Sequence, residues 1–136
     1  MKYVVDASFV ASLFLPDESQ LASDRLANKI KKDGATAPAL LQLEIANILL
    51  MARRRKRIAG TQVAQLLQAL DHFPISLQPA LSSKHRADLV HLAEKHNLSA
   101  YDAAYLELAI RLTLPLASLD KQLVKAAGAE GVILAL

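Results

Sequence analysis

A carboxylate stands where the sequence otherwise predicts a buried helix. Glu44 lies within "LLQLEIANILL", residues 40–50, and its helical neighbours three and four positions away are three aliphatic residues and Asn47. Removing an unpaired carboxylate from water costs several kcal/mol, so a buried Glu44 needs a compensating charge. Two explanations fit: an ion pair with an arginine from elsewhere in the chain, or a bound cation.

Three aspartates could complete a cation site with Glu44. Asp6 ends a β-rich run, Asp102 lies in the first turn of a predicted helix, and Asp120 precedes another helix. Each aspartate alone is better explained as a helix cap. Crowded together, however, the four carboxylates would repel one another, and a hard cation such as Mg²⁺ or Mn²⁺ would remove that penalty. The set therefore predicts a metal centre that activates water and stabilises charge on a phosphoryl group.

Short polar side chains accompany the predicted carboxylates. Ser8 and Ser118 lie two residues from Asp6 and Asp120, where a hydroxyl could hold a water or a phosphate oxygen, although capping explains them as well. Asn47, one helical turn after Glu44, is predicted to hydrogen-bond Glu44 or a neighbouring strand end.

Strands alternate with helices or helix pairs along the whole sequence. Such alternation predicts an α/β sandwich with a mostly parallel central sheet, whose working site lies at the carboxyl ends of the strands. Asp6, Asp102 and Asp120 should therefore face one edge of the sheet. The predicted strands cover residues 2–5, 35–37, 74–77, 114–117 and 132–134, and the predicted helices cover 7–15, 18–32, 38–57, 61–72, 83–96, 99–112 and 120–127.

Composition narrows the functional classes. The 136 residues fit one domain, 1–136, and the absence of cysteine excludes disulfides, iron–sulfur clusters and cysteine zinc sites. The longest apolar stretch, residues 35–52, is interrupted by polar side chains, so no membrane segment is predicted and a cytoplasmic location is expected. The net charge of +3 permits nucleic-acid binding, whereas 4% aromatic residues disfavour base-stacking RNA modules. The high apolar content, 53%, hints at a subunit interface.

Five consecutive cations, "RRRKR", occupy residues 53–57. Cations near a helix C-terminus interact favourably with its dipole, and consecutive positions cannot all face one ligand. We nevertheless predict that Arg53, Arg54 and Arg57 could contact RNA phosphates or an acidic partner surface. The four histidines lack the spacing that places two metal ligands on one helix face, so they are interpreted as solvated surface residues without a catalytic role.

Four motifs, in order, resemble the PIN-domain ribonucleases, in particular the VapC-like toxins of toxin–antitoxin pairs. They are "VVDAS", "LEIAN", "SAYDAAYLELA" and "LASLDKQL", and the resemblance extends from Tyr3 to about Ile133. It implies a three-layer α/β/α sandwich and Mg²⁺- or Mn²⁺-dependent endonucleolytic cleavage of RNA phosphodiesters. It also implies a homodimer and a small antitoxin protein that covers the acidic pocket.

The resemblance also implies individual roles. Asp6, Glu44, Asp102 and Asp120 match the family's acidic positions, which are catalytic and metal-binding, with Asp6 and Asp102 as the principal ligands. Ser8 and Asn47 match supporting positions, and Ser118 stands where the family more often has Thr. Two alternatives remain open at this point: a non-catalytic PIN-like scaffold that binds RNA or protein, and a general RNA-processing nuclease. A doubly wound phospho-acceptor regulator is disfavoured because Asp6 stands alone at its strand end.

Overall fold

One four-stranded sheet organises the protein, which we describe from a computed structural model over residues 2–136. All strand pairs are parallel, and the strand order is β3-β2-β1-β4. The strands are β1 (Tyr3–Val5), β2 (Ala35–Pro38), β3 (Ile75–Gln78) and β4 (Leu116–Ala117). The helices are α1 (Ala7–Phe14), α2 (Leu21–Asp33), α3 (Leu40–Arg54), α4 (Gly60–His72), α5 (Ser83–His96), α6 (Ala100–Leu112) and α7 (Lys121–Ala129), with a 3₁₀ turn at Pro16–Glu18.

The helices cover the sheet in two groups. Helices α1 to α4 contact one another, whereas α6 contacts β1, β2 and β4 and carries α5 and α7. A strand covered on both faces should be continuously apolar, and all three residues of β1 are indeed buried. The predicted three-layer α/β/α sandwich with a parallel sheet is confirmed.

The register of β1 and β4 places the carboxyl ends of these two strands side by side. Val5 of β1 pairs with Ala117 of β4, so the chain leaves both strands at the same edge. Asp6 follows β1 directly, and its backbone N–H donates to the Ala117 carbonyl. This edge is where the carboxyl ends of parallel strands present ligand-binding residues.

Helix α3 is anchored by one apolar stripe. Leu41, Ile45, Leu49 and Ala52 are buried at the spacing of one helix face. Glu44 lies beside that stripe and is partly buried, so it is directed towards the sheet edge rather than into the core. The predicted burial of the whole stretch is therefore wrong: its buried face is narrow.

The end of α3 differs from the predicted boundary. The helix ends at Arg54 rather than near Arg57, because Lys56 takes a left-handed conformation with φ of 60°. The Arg57 N–H then donates to the Ala52 carbonyl and the Lys56 N–H to the Arg53 carbonyl, which is the Schellman arrangement. A lysine occupies the position that usually takes glycine, and Gly60 opens α4 instead of ending α3.

Two further boundaries were predicted wrongly. Residues 132–134 do not form a strand; Leu134 makes an isolated parallel bridge to Leu116, because β4 is only two residues long. Pro38 ends β2 instead of starting α3. Over residues 2–136, none of the helices is both long enough and apolar enough to cross a bilayer.

Candidate active site

A cavity of about 450 Å³ opens where β1 and β4 end. This volume falls within the range of about 300–1,000 Å³ that is usual for small-molecule sites. All four predicted carboxylates line it. The full lining is Asp6, Ala7, Ser8, Ala11, Glu18, Glu44, Asn47, Ile48, Met51, Arg55, Arg57, Asp102, Tyr105 and Asp120.

Asp6 is the most deeply placed of these carboxylates and is only 4% exposed. Its Oδ1 accepts hydrogen bonds from the Phe9 N–H at 2.9 Å and from the Ser8 hydroxyl at 2.8 Å. Its Oδ2 accepts one from the Ser118 hydroxyl at 2.5 Å. Burial nevertheless dominates these favourable contacts, and the nearby Asp120 adds repulsion, so the pKa of Asp6 is raised to about 6.

The two serines therefore do something more specific than the sequence predicted. Both hydroxyls donate to Asp6 and both accept a backbone N–H, Ser8 from Leu119 at 2.9 Å and Ser118 from Asp120 at 3.0 Å. They connect the residues that follow β1 to those that follow β4. They hold Asp6 in place and leave no donor of their own for a phosphate oxygen.

Capping and site roles coincide in the aspartates. Asp6 caps α1, and Asp120 caps α7 by accepting from the Leu123 N–H at 3.0 Å. Asp102 is not itself the cap, because Ser99 fills that position and accepts from the Asp102 N–H. Burial and the negative charge of Asp120 raise the pKa of Asp102, an effect that Ser99 partly offsets. The two explanations that the sequence left open for Asp6 and Asp120 are thus compatible.

Glu44 has an unexpected partner. The hydroxyl of Tyr105, a residue that is 1% exposed, donates to Glu44 Oε1. Burial and the negative charge of Asp102 raise the pKa of Glu44, while the hydrogen bond from Tyr105 lowers it. Burial and the Glu44 carboxylate raise the pKa of Tyr105 far above its usual range, so the tyrosine remains protonated and is the donor.

The donor set suits a hard divalent cation. The four predicted carboxylates and Glu18 line the cavity, and no thiol or imidazole among the described residues does, which is the oxygen chemistry that Mg²⁺ and Mn²⁺ prefer. The pKa values of Asp6, Glu44 and Asp102 are all raised, so ionising these groups together is costly without a positive charge between them. Among residues 2–136 no three carboxylates or histidines already stand close enough to form a metal site. A cation held by one or two of these carboxylates, with water completing its coordination, is compatible with this spacing.

The other predicted residues are placed as follows. Asn47 lines the cavity, but over the described part of the chain its side chain makes no hydrogen bond, and Tyr105 takes the role predicted for it. Arg57 lines the cavity, while Arg53 and Arg54 lie outside its lining. Ser118 stands behind Asp6 and is buried.

Sequence reasoning missed three polar lining residues. Tyr105 is three positions after Asp102 on α6, so helical spacing places both on one face and could have identified it. Arg55 was left out when Arg53, Arg54 and Arg57 were selected from the basic run, because the run itself gives no signal for which cation lies at the cavity. Glu18 lies in the 3₁₀ turn, which the sequence predicted as the start of α2.

Comparison with known proteins agrees with this geometry. Residues 3–129 match the family model of the PIN domain. The chain is 32% identical to Ribonuclease VapC3 of Pyrobaculum aerophilum over 123 residues, which are 90% of this chain and 92% of that protein. The residues that match the PIN-domain model include all four carboxylate positions.

Two crystal structures share the fold. PAE2754 of Pyrobaculum aerophilum superposes with a TM-score of 0.72 at 23% identity, over 99% of this chain and 84% of that one. FitAcB of Neisseria gonorrhoeae superposes with a TM-score of 0.68 at 14% identity, over 97% and 95% of the two chains. At these identities the likeness supports the fold alone.

Proposed function

The chain belongs to the PIN-domain family, and on that premise we propose that it is a Mg²⁺- or Mn²⁺-dependent endoribonuclease, the toxin of a toxin–antitoxin pair. One observation carries the proposal. Four carboxylates from separate parts of the chain line one cavity at the carboxyl edge of the sheet, and three of them have raised pKa values. The similarity to a protein named as a ribonuclease supplies the substrate class.

Each residue of the site has a proposed part. Asp6 and Asp102 are the principal metal ligands, Asp120 adds a third carboxylate, and Glu44 ligates through water or positions the attacking water. A divalent cation bound there would activate water and offset the charge that develops on the phosphate oxygens. Ser8 and Ser118 hold the Asp6 carboxylate against the loop after β4.

The partially buried Glu44 suits a role in proton transfer. Because its pKa is raised, Glu44 can accept a proton from the attacking water nearer to neutral pH than an ordinary glutamate. Tyr105 fixes one carboxylate oxygen, Oε1, which leaves Oε2 for that proton. Asn47, on the same face of α3, is placed to donate to the substrate or to a water.

We further propose two protein partners. Leu43 and Tyr101 are 77% and 67% exposed, and each directly precedes a site carboxylate in sequence. Exposed large apolar side chains beside a charged pocket are typical of a protein-binding surface, which supports a small antitoxin that covers the pocket. Further exposed aliphatic residues elsewhere support a homodimer. As an enzyme acting on cellular RNA, the single-domain protein would work in the cytoplasm.

A metal-dependence assay tests the proposal. Purified, partner-free protein is incubated with single-stranded and with structured RNA, in Mn²⁺, in Mg²⁺ and in EDTA. We expect internal cleavage with either metal and none in EDTA. Cleavage that persists in EDTA, or no cleavage of any RNA with metal, would contradict it. Growth arrest on expression, relieved by Asp6→Asn, separates a toxin from a general RNA-processing nuclease.

A further inference from the structure

The cavity is lined by groups of both charges. Arg55 and Arg57, from the segment after α3, line it together with Glu18 and the four site carboxylates. A metal ion would neutralise the site carboxylates. A polyanionic strand that places one phosphate on the metal could then present a neighbouring phosphate to an arginine of the same cavity.

The two arginines are not equivalent. The guanidinium of Arg57 is held by Asp17, with Nε to Oδ2 at 2.8 Å and Nη2 to Oδ1 at 2.7 Å, and it also reaches Glu18 at 3.1 Å. The Nε and Nη2 donors of Arg57 are therefore taken up by carboxylates of the 3₁₀ turn. The side chain of Arg55, in contrast, makes no hydrogen bond or ion pair with any residue in the range 2–136.

The backbone holds Arg55 at this place. The Schellman turn at Lys56 and the Arg57–Asp17 pair both fix the segment that follows α3. Interaction with the helix dipole could explain a cation here, but Arg53 and Arg54 already lie in the last turn of α3. The dipole does not explain why Arg55 lines the cavity whereas Arg53 and Arg54 do not.

We propose that Arg55 binds an RNA backbone phosphate adjacent to the scissile one. This inference rests on the proposed ribonuclease function and adds a substrate subsite to it. A guanidinium presents paired donors that match two phosphate oxygens, and an unpaired one at the edge of a cleft retains those donors for a ligand. Arg57 has a structural role, because its contacts with Asp17 and Glu18 order the turn. The two arginines therefore have different roles, Arg55 in RNA binding and Arg57 in structure.

The test measures RNA binding separately from cleavage. A fluorescein-labelled single-stranded RNA is titrated into Asp102→Asn protein, with and without Arg55→Ala, and anisotropy is recorded at several salt concentrations. Arg54→Ala is the matched control, because it removes the same charge from the same run outside the cavity. We expect Arg55→Ala to weaken binding by about fivefold to tenfold and to lower the slope of log K against log salt by about one. Arg54→Ala should weaken binding by less than about twofold, and Arg55→Lys should recover part of the loss.

In the cleavage assay, Arg55→Ala on the otherwise native chain should raise KM more than it lowers kcat. Equal losses in Arg55→Ala and Arg54→Ala would overturn the subsite, since they would show only general charge attraction. Unchanged RNA binding with weaker binding of polyglutamate would overturn it too, because Arg55 would then serve an acidic protein. If the unaltered chain neither binds nor cuts RNA with metal, the ribonuclease function itself fails, and the subsite with it.

Discussion

Buried and partly buried carboxylates in this protein fall into two groups, those that pair with a cation of the chain and those that do not. Glu107 and Glu130 each have a cation of the protein: Arg111 pairs with Glu107 at 2.9 Å, and Lys95 and His96 pair with Glu130 at 2.7 and 2.6 Å. The four site carboxylates, in contrast, form no ion pair with any lysine, arginine or histidine in the described range 2–136; they are Asp6, Glu44, Asp102 and Asp120.

The pKa values record this difference. Hydrogen bonds from Lys95 and His96 hold the pKa of Glu130 below its usual range. Burial raises the pKa values of Asp6, Glu44 and Asp102. Cations of the chain thus pair with Glu107 and Glu130, whereas none among residues 2–136 pairs with the four site carboxylates. This uncompensated negative charge is the observation that supports the proposed divalent cation.

Replacing one carboxylate from each group should give the largest effects. Replacing a site carboxylate should lower RNA cleavage, whereas replacing a paired carboxylate should lower the stability of the fold. Asp102→Asn removes a proposed metal ligand, and we expect RNA cleavage to fall by at least about 100-fold, which corresponds to about 2.7 kcal/mol of transition-state stabilisation. Single-turnover cleavage of a labelled RNA measures this loss. Glu107→Gln is the control, since Glu107 is 4% exposed but lies outside the cavity.

Glu107→Gln should leave cleavage within about twofold and lower the free energy of unfolding by about 1–3 kcal/mol, because its charge-assisted hydrogen bonds to Arg111 are weakened. Urea denaturation measures that free energy. Near-normal cleavage by Asp102→Asn would contradict a role for the site carboxylates in cleavage. A cleavage defect in Glu107→Gln without unfolding would contradict a purely structural role for the paired carboxylates.

The stability of the metal-free protein should depend on Asp6 in one pH window. The folded pKa of about 6 is above the unfolded value of 3.8, so ionisation favours the unfolded chain and stability is lost as the pH rises from about 4 to about 6. Asp6→Asn removes this loss and keeps a capping oxygen. We expect it to stabilise the metal-free protein by about 2–3 kcal/mol at pH 7.5 and hardly at all at pH 4.

Glu130 provides the mirror image of Asp6. Its pKa is lowered, so its contribution is present above the unfolded pKa and is lost as the pH falls through the folded value. Glu130→Gln should therefore destabilise the protein at pH 7.5 and have little effect at pH 3. Denaturation curves of both variants across pH measure the two trends, and parallel pH profiles for Asp6→Asn and Glu130→Gln would contradict them.

Tyr105→Phe should lower cleavage less than Asp102→Asn does. Loss of the hydroxyl removes a donor that lowers the pKa of Glu44, so the acidic limb of the cleavage profile should move to higher pH. Cleavage at pH 7 should fall by about threefold to tenfold, or about 0.7–1.4 kcal/mol, the net effect of one typical hydrogen bond. Tyr101→Phe on the same helix is exposed and should shift nothing. An unmoved pH profile in Tyr105→Phe would show that Tyr105 only packs.

The sequence predicted which carboxylates lie near one another, but it did not predict the hydrogen bonds that hold them. Asp6 and Asp120 could be placed because parallel strands end at one edge, and Asp102 because its helix starts beside that edge. The hydroxyls of Ser8 and Ser118 were predicted to hold a water or a phosphate oxygen, or to cap a helix, whereas both donate to the buried Asp6 carboxylate. These hydrogen bonds depend on how deeply Asp6 is buried, and residue spacing in the sequence does not give that burial.

Two predictions, the end of α3 and the exposure of His96, were wrong because contacts between distant parts of the chain decide them. Lys56 adopts a left-handed conformation although a lysine gives no signal for it, and contacts of Arg57 with Asp17 help to stabilise that turn. His96, interpreted as a solvated histidine, is partly buried against Glu130, 34 residues away in sequence. Pairings across such distances cannot be read from local periodicity.

The central claim is that the cavity carboxylates are completed by a divalent cation, and calorimetric titration with Mn²⁺ tests it most directly. We predict saturable binding at pH 7.5, at least about tenfold weaker in Asp102→Asn and unchanged in Glu130→Gln. Near pH 6, binding should release protons, because Asp6 must ionise, and the apparent enthalpy should vary with the buffer. Absence of binding at millimolar Mn²⁺, or equal binding by Asp102→Asn, would contradict the claim.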